Sequence, residues 1–178
     1  MTRHRLSNLW NSTGGLAAIE FAVVLPVMLT ALLGTVEISN LVNSYSKTVS
    51  ASQTMADLTG QSSALTTAQM NSIVAGAQRV LDPLVSDATT LGIEVVSIGF
   101  DNGNKPIQLW HYSWGMAQTV SLTGAQGLGV TGESVVMVSL SYKCIPLIHD
   151  IVPEITFKEV SYTRPRLVRK ISYNGVTG

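Results

Sequence analysis

The chain is short of the residues from which most active sites are built. Of its 178 residues one is a cysteine, Cys144, and three are histidines, His4, His111 and His149. A single cysteine excludes a disulfide within the chain and any zinc site of the multi-cysteine kind. No two histidines stand at ligand spacing, and neither a Gly-x-Ser-x-Gly elbow nor a phosphate loop occurs. Cys144 has no base beside it, so nothing marks it as a nucleophile. Asp82 and Asp87 flank an expected helix end, and Asp101 and Asp150 read as turn residues. Enzyme activity, a cofactor and a metal are therefore not expected.

Charge is scarce as well. Charged residues make up 12% of the chain, well below the usual quarter, and 11 basic residues balance 11 acidic ones. No basic block follows the N-terminal apolar segment, so nucleic acid is not an expected partner. With one thiol and no internal bridge, an exported domain has to be held by its core. Cys144 is then either buried or bridged to a second chain.

Apolarity is what the N-terminus has in excess. The hydrophobic fraction is 46%, mean hydropathy is +0.29, and the excess sits in the first forty positions. Phe21 to Val36 carries no charge, and Leu16 to Ile19 extends the run backwards through Glu20. As a helix, Leu16 to Val36 covers about 32 Å, roughly one bilayer core. Arg3, His4 and Arg5 precede the run, whereas Glu37 lies at its far end and Lys47 is the first base beyond it. The positive-inside rule keeps that N-terminus cytoplasmic and sends the rest out. A cleaved secretory signal is the competing reading. Against it, the run is too long, and Leu32, Leu33 and Val36 stand where small residues are wanted between Ala31 and Ser39. The expected division is a basic cytoplasmic leader over 1–15, a transmembrane helix over 16–37, an exported domain over 38–170 and a flexible tail over 171–178.

Periodicity organises the remainder. Ile38, Leu41, Val42, Tyr45 and Val49 recur at helical spacing, so the membrane helix should continue as an amphipathic one to Leu58 and end at Gly60. Pro26 should kink it. Thr66-Thr67-Ala68-Gln69 fits a capping box, followed by the stripe Met70, Ile73, Val74, Ala77, Leu81 and Leu84, with Pro83 at its end. Gly60 to Ser63 links the two as a helical hairpin. Strands are expected at Ile93–Phe100, Ile107–Trp114, Ser134–Cys144 and Ile155–Thr163, with turn chemistry at Asp101–Asn104 and a Gly-rich loop at Gly124–Gly132. Helices followed by hairpin-connected strands make an α+β fold with an antiparallel sheet of about four strands. Trp110, Tyr112 and Trp114 alternate onto one strand face, which is either an interaction surface or the side of a sheet packed on a helix.

Glu20 is the residue that apolarity does not explain. A carboxylate inside a membrane span costs about 2.5 kcal/mol or more, so it either finds a partner or snorkels to the cytoplasmic interface. Gly15-Leu16-Ala17-Ala18-Ile19-Glu20-Phe21-Ala22 resembles a type IV prepilin processing site, with a basic leader ending in glycine and a glutamate five residues on. The closer resemblance is to the TadE-like family of tight-adherence (Flp) pilus systems. It rests on Gly15 to Ala22, Val23-Val24-Leu25-Pro26, the aliphatic run to Leu33, Gly34 and Glu37, and the closing Tyr162-Thr163-Arg164-Pro165-Arg166. The resemblance implies cleavage between Gly15 and Leu16 by a membrane prepilin peptidase. It also implies a charge on Glu20 that pairs with the new α-amino group of a neighbouring subunit and sets register. The implied partners are that peptidase, other pilin or pseudopilin subunits, the pilus assembly machinery and membrane lipid, at the bacterial inner (cytoplasmic) membrane. The chain is longer than a major Flp pilin and lacks the large metal-adhesion domain of TadG-like relatives, so a minor pilin-like role in pilus assembly is implied. The alternative is an uncleaved single-pass envelope protein that presents its α+β domain to a partner through Trp110, Tyr112 and Trp114.

Overall fold

The computed structural model describes residues 14–116, 118–146 and 152–178. The basic leader with Arg3, His4 and Arg5, and the stretch holding His149 and Asp150, lie outside the described residues. Helix α1 runs Gly14–Gly60, through Pro26, and the chain forms two compact units that divide between Asn40 and Leu41.

In the first unit α1 is long and apolar enough to cross a membrane. Leu16, Ile19, Phe21, Val23, Val27, Met28 and Leu32 all expose most of their surface. In water that would be a large unpaid hydrophobic cost, and in lipid it is none. The few hydroxyls close on the helix itself. Thr30 Oγ1 donates to Pro26 O at 2.8 Å, Thr35 Oγ1 to Ala31 O at 2.8 Å and Ser39 Oγ to Thr35 O at 2.9 Å. Each polar group thereby reaches a partner four residues back without needing solvent.

In the second unit the same helix buries a different kind of face from the one its apolar spacing predicts. Ser44, Thr48, Ala51, Ser52, Met55, Ala56 and Thr59 are buried, whereas Val42 and Tyr45 are exposed. The stripe Ile38, Leu41, Val42, Tyr45 and Val49 thus only borders the packing face, with Leu41 against the core and the Tyr45 ring 5.6 Å from Phe157, because small side chains let a helix approach a sheet more closely than large ones do. Two hydroxyls on the buried face find partners, Thr48 Oγ1 donating to Ser44 O at 2.8 Å and Ser52 Oγ to Ser161 Oγ at 2.9 Å, whereas the buried Thr59 hydroxyl has none among the described residues. After Gly60 come strand β1 (Ala64–Leu65) and helix α2 (Thr67–Leu81). The expected capping box is present, with Thr66 N donating to Gln69 Oε1 at 2.8 Å and Gln69 N to Thr66 Oγ1 at 3.3 Å. Helix α2 buries Met70, Val74, Ala77 and Leu81.

Four strands then follow: β2 (Leu91–Phe100), β3 (Pro106–Gly115), β4 (Ser134–Cys144) and β5 (Ile155–Thr163). They form one antiparallel sheet in the order β3-β2-β4-β5. The architecture is the α+β class expected. The two central strands read as continuous apolar runs because both of their faces are covered. Ile93, Val95, Val136, Val138 and Leu140 join the helices in the main core, while Val96, Ile98 and Met137 on the other face pack with Ala125 and Leu128. The Gly-rich loop is therefore a cover. A Cβ on Gly129 would come within 2.3 Å of the Phe100 ring and one on Gly124 within 2.4 Å of the Tyr162 hydroxyl, so these glycines permit the close approach.

The end of the described chain departs from expectation. Ile171 is fully buried, and β6 (Ser172–Tyr173) pairs in parallel with β1. Asn174 N donates to Leu65 O at 2.9 Å, and its side chain accepts from Thr67 N at 3.1 Å, satisfying an orphan donor of the first turn of α2. Residues 171–178 are thus a docked segment and not a loose tail, because Ile171 and Tyr173 fill the gap beside Trp110. Upstream, Arg166 N donates to Gly60 O at 2.8 Å and the Arg166 guanidinium meets Asp57 at 2.7 Å, which caps the carbonyl end of α1 with a donor and a cation. Deleting residues 171–178 should lower the unfolding free energy by about 3 kcal/mol or more, the scale of losing a buried isoleucine with its cavity. Urea unfolding of the full chain in detergent would measure it, and an unchanged midpoint would contradict the docking.

Candidate functional site

Gly15, Leu16 and Glu20 all lie on α1, and all are exposed. The Gly15–Leu16 bond is in the first helical turn, where backbone N–H groups have no intrahelical partner and unwinding costs least. Nothing among the described residues asks for glycine at 15: an added Cβ would meet none of their atoms within 4 Å. Helix propensity argues against it too, since glycine costs about 1 kcal/mol relative to alanine. Glu20 stands on the same helix among exposed Ile19, Phe21 and Val23. Glycine and glutamate are therefore both unexplained by local packing, and they are five residues apart in sequence. Glu37, at the far end of the uncharged run, is buried.

The aromatic stripe has a different fate. Register puts Trp114 opposite Ile93, Tyr112 opposite Val95 and Trp110 opposite Ser97, all on the face that meets the helices. Trp110 and Tyr112 are 5% and 7% exposed, and Trp114 is partly buried against the same core. Trp110 Nε1 donates to Ile171 O at 2.6 Å, and the Tyr112 hydroxyl donates to Asn71 Oδ1 at 2.8 Å. The Tyr173 ring lies 5.3 Å from Trp110 and 6.1 Å from Tyr112, centroid to centroid. Burial, and then the neighbouring Tyr173, push the Tyr112 phenol up. As an interaction surface the stripe is corrected: α2 and the docked C-terminal segment cover it. Alternation in the sequence locates the face but not what lies over it.

Other chemistry-bearing groups are dispersed. Cys144 is buried and unbridged, its Sγ 3.6 Å from Ser44 Oγ. Buried Glu94 pairs with the exposed His111 ring on the loop-covered face. Among the described residues no three His, Cys, Asp or Glu side chains converge in a way that could hold a metal ion. The turn after α2 is densely hydrogen-bonded. There Asp87 Oδ1 accepts from Thr89 N at 2.8 Å, Thr89 Oγ1 at 2.7 Å and Thr90 N at 3.0 Å. These bonds, from Thr89 first and then Thr90, hold the Asp87 carboxyl below its usual range.

With that geometry in hand, residues 15–57 match the family model described as TadE-like protein. The match covers α1 from the glycine of the Gly15–Leu16 bond nearly to its end, as the resemblance in Gly15–Ala22, Pro26 and Glu37 implies. No curated protein and no solved structure matches the chain.

Two outcomes follow from these placements. Trp110→Ser should destabilise the fold by about 3–5 kcal/mol, the usual range for losing a buried tryptophan; a wild-type melting curve would return the stripe to the surface. The Asp87 contribution is complete above about pH 4 and fades as the pH falls through the depressed folded value. Asp87→Asn, which keeps an acceptor but cannot ionise, should therefore flatten the acid limb of stability against pH. A limb that stays as steep would place the titrating group elsewhere.

Proposed function

We propose that this protein is a membrane-anchored, pilin-like component of a tight-adherence pilus system, matured by cleavage between Gly15 and Leu16 and required for assembly of the pilus. The observation that carries the reading is the pair Gly15 and Glu20 within the TadE-like segment, on a helix whose own packing requires neither. A glycine that the fold does not need is accounted for by an enzyme that reads it. A carboxylate in lipid is accounted for by a partner charge that arrives only after cleavage, the α-amino group of Leu16 on a neighbouring subunit. Pairing offsets part of the desolvation cost of both charges and fixes how far one subunit slides along the next. In this reading the α+β unit is cargo or contact surface and carries no catalysis. The peptidase and the other subunits are its partners, and the cytoplasmic membrane is its site before assembly.

N-terminal sequencing of the protein from its native membrane tests the cleavage. A chain starting at Leu16 supports the reading, an intact Met1 leaves a static anchor, and a start near Ser39 makes it a secreted domain. Gly15→Leu should abolish processing while leaving the fold intact, since the added side chain meets open space. Glu20→Ala should insert normally and fail to assemble. Normal pili in that variant would remove the register role.

A further inference from the structure

The four-stranded sheet has two edges, and they are finished differently. At one edge β3 begins with Pro106, and its pairing with β2 slips between Ser97 and Ile98, so that Leu109 is left over as a bulge. Proline and a bulge are common means by which an edge strand refuses a further neighbour. At the other edge β5 has neither. It pairs with β4 over Ile155 to Thr163 without a shift, and it contains no proline and no glycine. Alternate N–H and C=O groups along it point away from β4, and among the described residues no other strand or loop backbone takes them up. A lysine can blunt such an edge, but Lys158 reaches back across the sheet. Its Nζ donates to Thr119 O at 3.0 Å, beside Gln118, which accepts from Ser141 of β4 at 2.7 Å.

The C-terminal part of α1 runs beside this open edge, within the second unit. Ser52 Oγ donates to Ser161 Oγ at 2.9 Å, and a Cβ on Gly60 would come within 2.9 Å of Thr163 Oγ1. Between helix and strand lies a groove of about 440 Å³, lined by Gln53, Ala56 and Asp57 on one side and by residues 159–163 on the other. Its two carboxylates are not equivalent. Asp57 is matched by the Arg166 guanidinium at 2.7 Å. Glu159, half-buried on the strand face that also carries Ser161, meets no cation among the described residues. The next residue, Val160, points to the opposite face and is 37% exposed.

We propose that this groove takes an extended segment of another polypeptide, which adds to β5 as a fifth strand and carries lysine or arginine opposite Glu159 and an apolar residue opposite Val160. Backbone pairing supplies the hold, and the alternate side chains supply the choice. A second copy of β5 is the poorer occupant. Matched antiparallel over its full length, 155 against 163, it centres on residue 159 and sets Glu159 against Glu159, and like charges directly opposite repel. The surface belongs to the second unit alone, so its use does not depend on cleavage at Gly15.

The test uses the full chain in detergent micelles and short labelled peptides of alternating threonine and valine. One has lysine in place of its central threonine, one has glutamate there, and a third is the lysine peptide with its backbone nitrogens methylated. Fluorescence anisotropy reads binding, and backbone deuterium exchange reads where it occurs. The lysine peptide should bind roughly tenfold tighter than the glutamate one, and the methylated peptide should not bind. On saturation, exchange over 155–163 should slow roughly tenfold while that over 106–115 stays as it was. Glu159→Lys should reverse the order of the two peptides, and Glu159→Gln should bring them within about twofold. Melting midpoints check both variants, and if the lysine variant melts early the glutamine variant decides. Unchanged exchange over 155–163 at millimolar lysine peptide would overturn strand addition. A preference for lysine that survives in Glu159→Gln would overturn the partner chemistry. Slow exchange that sets in with protein concentration, without peptide, would give the edge to a second copy instead.

Discussion

One helix has to serve two kinds of surroundings, and much of the structure follows from that. Apart from its first turn and the donor that Pro26 lacks, helix α1 satisfies its backbone internally, which is the condition for crossing lipid. What changes along it is side-chain chemistry alone. Up to Asn40 the helix carries leucine, valine and methionine outward on all sides. From Ser44 it carries serine, threonine and alanine inward, toward a sheet. Hydroxyls make the change tolerable, because a serine or threonine that bonds the carbonyl four residues back is nearly neutral in either medium.

The sheet is built to receive such a helix. Its helix-facing side supplies the bulk that α1 lacks, in Ile93, Val95, Leu140, Tyr142 and the aromatics of β3, while α2 adds Met70, Val74 and Leu81. Among the described residues its opposite side meets no α-helix, and a glycine-bearing loop with one 3-10 turn, Thr123–Ala125, covers it at a distance that Gly124 and Gly129 allow. Both faces of β2 and β4 are thereby kept from water, with α-helices over one of them.

Much of this was legible in the residues, for identifiable reasons. The capping box at Thr66 and Gln69, and the strands Ser134–Cys144 and Ile155–Thr163, are local signals that tertiary contacts had no cause to override. Glu20 and Gly15 stood out because each breaks the rule of its surroundings. Three things were not legible. Strands of two residues, β1 and β6, have no period to detect. The packing face of α1 is mostly small and polar, so hydrophobic spacing found its margin, at Leu41 and Tyr45, and not its centre. The stripe of Trp110, Tyr112 and Trp114 has the same alternation whether it faces water or Ile171, and only the partner decides.

The pairing of β6 with β1 also orders events in time. Trp110 has no acceptor for its indole N–H until Ile171 is in place, and the N-terminal turn of α2 waits for Asn174. A ribosome that has reached the middle of β4 has already made both helices and the central strand, yet the core cannot close over the aromatics. The contacts that close over the aromatics and over the first turn of α2 therefore come from residues 171–174, which are made after the whole sheet.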